Sequence, residues 1–193
     1  MATATTQVKR NYPPGDVAIW IFIMAELAVF AIFFAAYAFA RSNNVEMFNI
    51  SQQTLDTNVA LLNTLALITS SYFVVRAVAS IREGKSELCM RWLIAAIFMG
   101  FVFLVLKSGE YVRHYGEGTN MRTNLFYMFY FSMTFFHFMH VIMGMVILAA
   151  VALKTNQGGY SAAEHTGVET GASYWHMVDL VWLILFPLTY VMR

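Results

Sequence analysis

Few residues of this chain are equipped for chemistry, and most of those stand in apolar surroundings. In FFHFMHVIMGMVIL, residues 135–148, His137 and His140 lie three residues apart inside an apolar run. At that spacing two side chains share a helix face, and a histidine pair can ligate a metal, carry a proton or hold helices together. In GVETGASYWHMVDLVWLILFPLTY, residues 167–190, Glu169, His176, Asp179 and Leu183 follow one another by seven, three and four positions. That is again one helical face, with Trp175 and Trp182 forming an aromatic stripe beside it. Lys107 and Glu110 are three apart and can pair on one face. Glu26 is the single charge of its apolar block.

Each group has a bland reading and a sharp one. Structural zinc needs four ligands, and the lone cysteine, Cys89, supplies neither a multi-cysteine site nor an internal disulfide. A bis-histidine haem needs one histidine from each of two helices at matching depth. His176 lies roughly 10 Å into its span and His137 roughly 24 Å from the same side, at 1.5 Å per residue. The mismatch favours packing histidines over haem ligands, with a b-type cytochrome using His137 or His140 and His176 as the alternative. For Glu169, His176 and Asp179 the plain reading is interhelical hydrogen bonding, about 0.6 kcal/mol per bond. Glu26 has no basic residue near it in its own helix, and burial favours the uncharged form of a carboxyl. It reads either as a neutral acid bonded to a neighbouring helix or as a site of proton uptake or buffering. There is no Gly-rich phosphate loop, no H-E-x-x-H and no ordered Ser/His/Asp set.

The elements that position these residues follow from composition. Apolar residues make up 59% and charged residues 12% of the 193, about half the usual charged share. A net charge of +1 gives no reason to expect nucleic acid. The apolar residues fall into five blocks near the roughly 20 residues that a membrane-crossing helix needs. The expected fold is an all-α integral membrane bundle of five transmembrane helices, at about 17–41, 55–80, 91–113, 124–153 and 170–192. A polar segment, 1–16, precedes a single membrane domain, 17–193. The first block ends in an A-x-A pattern but is much longer than a signal peptide's apolar region, and is read as a retained helix. Lys9, Arg10, Arg76, Arg82, Lys85, Arg91 and Lys154 fall on one side, and Arg41, Lys107, Arg113, Arg122 and Arg193 on the other. That bias places the N-terminus in the cytoplasm and the C-terminus in the periplasm. A small proton-coupled transporter using Glu26 and Asp179 is a further alternative, opposed by the lack of an internal repeat.

The motifs resemble a known family. Residues 167–190 resemble the last helix of subunit III of the haem-copper oxidases, whose pattern is an acid followed by W-H-x-V-D-x-V-W. Glu169, Trp175, His176, Val178, Asp179, Val181 and Trp182 match it. Phe136, His137, His140, Val141 and Gly144 are similar to the preceding helix, F-H-x-x-H-V-x-x-G. KSGEY, residues 107–111, resembles the ending of the helix before that, and Glu26 falls where the family carries a buried helix glutamate. The resemblance runs from about Asp16 to the C-terminus.

It implies a non-catalytic, multi-pass subunit of the bacterial cytoplasmic membrane, with no catalytic, cofactor or metal residues of its own. Haem and copper (or non-haem iron) would reside in the partner, subunit I, with subunit II as a further partner. The chain would bind phospholipid and support assembly and proton uptake in aerobic electron transport. His137 and His140 become internal packing and hydrogen-bonding residues. Mitochondrial-type members have two more helices, which form a lipid-filled cleft that is not carried over here. Five-helix members occur in quinol oxidases. Residues 13–41 and the short length also resemble NorE-type proteins that accompany nitric oxide reductases, so the partner's substrate, O2 or NO, stays open.

Overall fold

The computed structural model describes residues 15–192. Residues 1–14 of the polar N-terminal segment, with Lys9 and Arg10, and Arg193 lie outside the described residues. Six α-helices follow one another: α1 Val17–Asn43, α2 Val45–Gln53, α3 Thr57–Arg82, α4 Ser86–Gly116, α5 Leu125–Asn156 and α6 Thr166–Phe186. A π turn, Pro187–Val191, follows α6 directly. Five of the helices, all but α2, are long and apolar enough to cross a membrane.

The spans run further than their apolar blocks because polar residues cap them. Asp56 accepts from the amides of Asn58 and Val59, so α3 begins at Thr57 and not at 55. The Val59 amide, helped by Asn58 and Arg113, holds the Asp56 carboxyl below the usual aspartate range. Asn124 caps α5 in the same way through the Tyr127 amide. The α3–α4 connection turns at Gly84, whose φ of 76° is open to glycine. That tight turn lets α4 start at Ser86, five residues before the apolar block suggests. The sequence reading has no counterpart of α2. That helix is short and half polar, and its single apolar anchor, Phe48, is fully buried against Tyr37 and Phe126.

In this bundle α3 and α4 make the most extensive helix pair, α5 packs on α4 and α6, and α6 packs on α3. The central helix is α6, with 56% of its apolar stretch buried, whereas α1 is peripheral at 11%. Trp175 sets the spacing at the centre. A Cβ at Gly100 of α4 would come within 2.9 Å of its ring, and one at Gly144 of α5 within 2.8 Å. The indole therefore fills a slot that two glycines leave open, which is how three helices approach around one large side chain. Trp182, two turns on, is also fully buried and donates to Thr64 Oγ1 at 2.9 Å.

Overpacking such a slot costs about 1–3 kcal/mol. Gly144→Ala should therefore lower the apparent melting temperature of the detergent-solubilised chain, followed by tryptophan fluorescence, while Gly109→Ala, at a position with open space around it, should leave it unchanged.

Candidate functional site

Two polar clusters lie inside the spans. The first grows from Lys107 and Glu110 of α4. The Lys107 ammonium is fully buried and donates to Glu110 Oε2 at 3.1 Å, to the Tyr130 hydroxyl of α5 at 3.0 Å and to the Tyr190 hydroxyl of the π turn at 2.6 Å. All three of its N–H donors are thereby used. Both phenols in turn donate to Glu110 Oε1, at 2.6 and 2.7 Å. The ammonium also lies 5.6 Å from the Trp182 ring centre and 5.2 Å from that of Tyr111. Charges of opposite sign, desolvated together and fully hydrogen-bonded, are the tolerable way to keep a lysine at this depth. His114, one turn beyond Glu110, is buried among the rings of Tyr127, Tyr130 and Phe131.

The second cluster joins α1 to α5. Glu26 Oε2 lies 3.0 Å from His140 Nε2, and His140 Nδ1 lies 2.8 Å from the Phe136 carbonyl. Of the two readings of Glu26, this is the bond to a neighbouring helix: its partner lies on α5, 114 residues away. A carbonyl only accepts, so Nδ1 carries its hydrogen. Nε2 then either accepts a proton from a neutral Glu26 or gives one to the carboxylate. In both forms one hydrogen lies between Oε2 and Nε2. Glu26 remains one-fifth exposed on the outer side of the bundle.

The other predicted residues go elsewhere. His137 is fully buried between Phe103 and Trp182, with ring centres 5.8 and 5.2 Å away. Neither of its nitrogens has a hydrogen-bond partner among the described residues. The expectation that it hydrogen-bonds is therefore corrected: aromatic packing holds it. Glu169 stands at the end of α6, where it pairs with Arg82 at 2.6 Å and His165 at 3.3 Å and accepts from the Gly15 amide. His176 opens onto a cleft of about 240 Å³ between α3 and α6, and Asp179 lies one turn deeper. Leu183, on the same face, is 44% exposed, so the polar stripe runs along an open seam rather than into the core. Among the described residues no three His, Cys, Asp or Glu side chains converge as a metal site.

Sequence reading misses Tyr130 and Tyr190, which complete the lysine cluster. Tyr130 precedes His137 by seven residues, two helical turns on the same face, and that spacing was available as a signal. Tyr190 carries none, because the π turn rather than an α-helical repeat aims it.

The fold and its paired interior charges define a class: a multi-pass helical membrane protein whose interior polar residues pair within the bundle. A comparison with known families gives the particular one. Residues 4–192 match the family described as cytochrome c oxidase subunit III, and the chain belongs to it. Cytochrome c oxidase subunit 3 of Synechocystis sp. is 32% identical, the match covering 97% of this chain and 85% of the relative. That of Thermostichus vulcanus is also 32% identical, over 89% and 84%. The quinol oxidase subunit 3 of Bacillus spizizenii is 25% identical, over 90% and 84%.

Removing one member of a buried pair costs about 3–5 kcal/mol, whereas replacing both by apolar groups is often neutral. Glu110→Leu should destabilise the solubilised chain severely, and Lys107→Met combined with Glu110→Leu should recover much of the loss, as measured by the fraction running monodisperse after heating. At the other cluster, Glu26→Gln keeps a donor for Nε2. It should melt close to the unaltered chain, while Glu26→Leu strands the imidazole and should lose about 1–3 kcal/mol.

Proposed function

We propose that the chain is the non-catalytic subunit III of a bacterial respiratory haem-copper oxidase of the cytochrome c or quinol type. The observation that carries this reading is the extent of the family match, nearly the whole chain, with relatives of both oxidase types covered over more than four-fifths of their length. Haem and copper belong, on this reading, to a larger partner, subunit I, with subunit II beside it. The named relatives are oxidase subunits, which favours an O2-reducing partner over the nitric oxide reductase of the NorE-type alternative.

The interior supports an accessory role. Lys107, Glu110, Tyr130 and Tyr190 satisfy one another, so their contribution is to hold α4, α5 and the π turn in register. The proton shared by Glu26 and His140 sits at membrane depth beside the lipid, a suitable place for a proton reserve serving the partner. Exposed apolar side chains such as Met24 and Ile32 of α1 and Phe135 and Met143 of α5 suit contact with phospholipid. The basic flanks support a cytoplasmic N-terminus. Lys107 is inside the bundle and leaves the periplasmic count, while Arg76, Arg82, Lys85, Arg91 and Lys154 stay on the cytoplasmic side.

Purification in mild detergent through a tag on this chain tests the reading. The expected companion is a larger subunit with haem and copper in stoichiometric amount. Haem with non-haem iron and no copper would transfer the chain to a nitric oxide reductase, and haem bound to the chain alone would overturn the accessory role.

A further inference from the structure

The lysine cluster and the Glu26–His140 pair account for polar groups that satisfy one another. The seam between α3 and α6 does not close in this way. Its mouth is formed by the Arg82–Glu169 pair, and from there Ser173 and His176 line the cleft opposite Val75 and Val78. His176 is partly exposed there and makes no hydrogen bond among the described residues. One turn deeper Asp179, 9% exposed, has the Ser71 hydroxyl of α3 as its neighbouring donor, but Asp179 Oδ1 and Ser71 Oγ both fall outside hydrogen-bond geometry and Oδ1 meets no other donor among the described residues. Asp179 is ten residues beyond Glu169, about 15 Å further along the helix axis. With the Arg82–Glu169 pair at the membrane surface, that is the middle of a hydrocarbon layer about 30 Å thick.

At that depth neither water nor a lipid headgroup is at hand, and acyl chains offer no hydrogen bond. Polar side chains in such a place face protein. We infer that the α3–α6 seam is the face on which a transmembrane helix of the partner subunit packs, presenting a hydroxyl, amide or cationic side chain as donor to Asp179. The apolar walls of the cleft take the body of that helix, and His176 offers a second polar contact one turn nearer the surface. This rests on the subunit reading above and adds which face meets the partner. Elsewhere the bundle surface is apolar over long stretches, as along Phe135, Met139 and Met143 of α5, and suits lipid.

Photo-crosslinking in the assembled complex tests the assignment. A benzophenone amino acid replaces Val75 or Leu183, which are 52% and 44% exposed and flank the seam, or Phe135 on α5 as the control. The expected result is an adduct with the larger partner subunit from Val75 and Leu183, and lipid adducts alone from Phe135. Partner adducts from Phe135 with only lipid adducts at the seam would overturn the assignment while leaving the subunit reading intact. Adducts between two copies of this chain at the seam would overturn it in favour of self-association. Recovery of no partner with any variant, or with the unaltered chain, would remove both.

A second measurement uses the acceptor itself. Asp179→Asn keeps an oxygen at the position and should retain the partner, whereas Asp179→Leu should lower its recovery about five-fold or more. The melting temperature of the chain freed of its partner should be the same for both variants. Equal recovery with leucine, or a loss of recovery matched by a loss of the free chain's own stability, would overturn the assignment.

Discussion

A lysine ammonium in the interior of a membrane bundle has nowhere to take its hydrogen bonds except from the protein. Around Lys107 that constraint recruits the carboxylate of Glu110 and the hydroxyls of Tyr130 and Tyr190. These come from α4, α5 and the π turn, so one charge fixes the rotation of two helices and the position of the chain's last turn. Trp182 closes the cluster against α3 through Thr64. The glycine slot around Trp175 then sets how near α4 and α5 come to α6.

The same rule, applied along the rest of the bundle, sorts polar residues into three kinds. Some meet partners on other helices, as Glu26 meets His140. Some meet partners at the membrane surface, as Glu169 meets Arg82. The third kind, such as Asp179 at the α3–α6 seam, leaves a carboxylate oxygen without a hydrogen bond among the described residues.

Much of this was legible in the residues. Long apolar blocks dictate five spans, and the three-residue spacing of Lys107 and Glu110 permits their contact. What could not be read were pairings between distant segments, because helical periodicity gives the face a side chain occupies but not the helix that face meets. Glu26 appears alone in its block for this reason, while its partner lies on α5. His137 looks like a hydrogen-bonding residue by type, yet it is surrounded by Phe30, Phe103 and Trp182, and no periodicity announces an aromatic cage drawn from three other helices. Helix α2 escaped because a nine-residue helix with one buried anchor leaves too few apolar turns to count.

The π turn at the end of α6 has a bearing on how the protein is made. Pro187 has no amide hydrogen, and in the widened turn the carbonyls of Leu188 and Thr189 accept from the side chains of Tyr37 and Gln52. The same turn delivers Tyr190 to Lys107 and Glu110. In synthesis, Lys107 and Glu110 are laid down with the third span, and the residues that complete their surroundings emerge after them. The third span therefore enters the bilayer with its ionic pair only partly provided for, and the fifth span supplies the missing hydroxyl. Its arrival also secures α1 and α2, so closure of the bundle waits on the π turn.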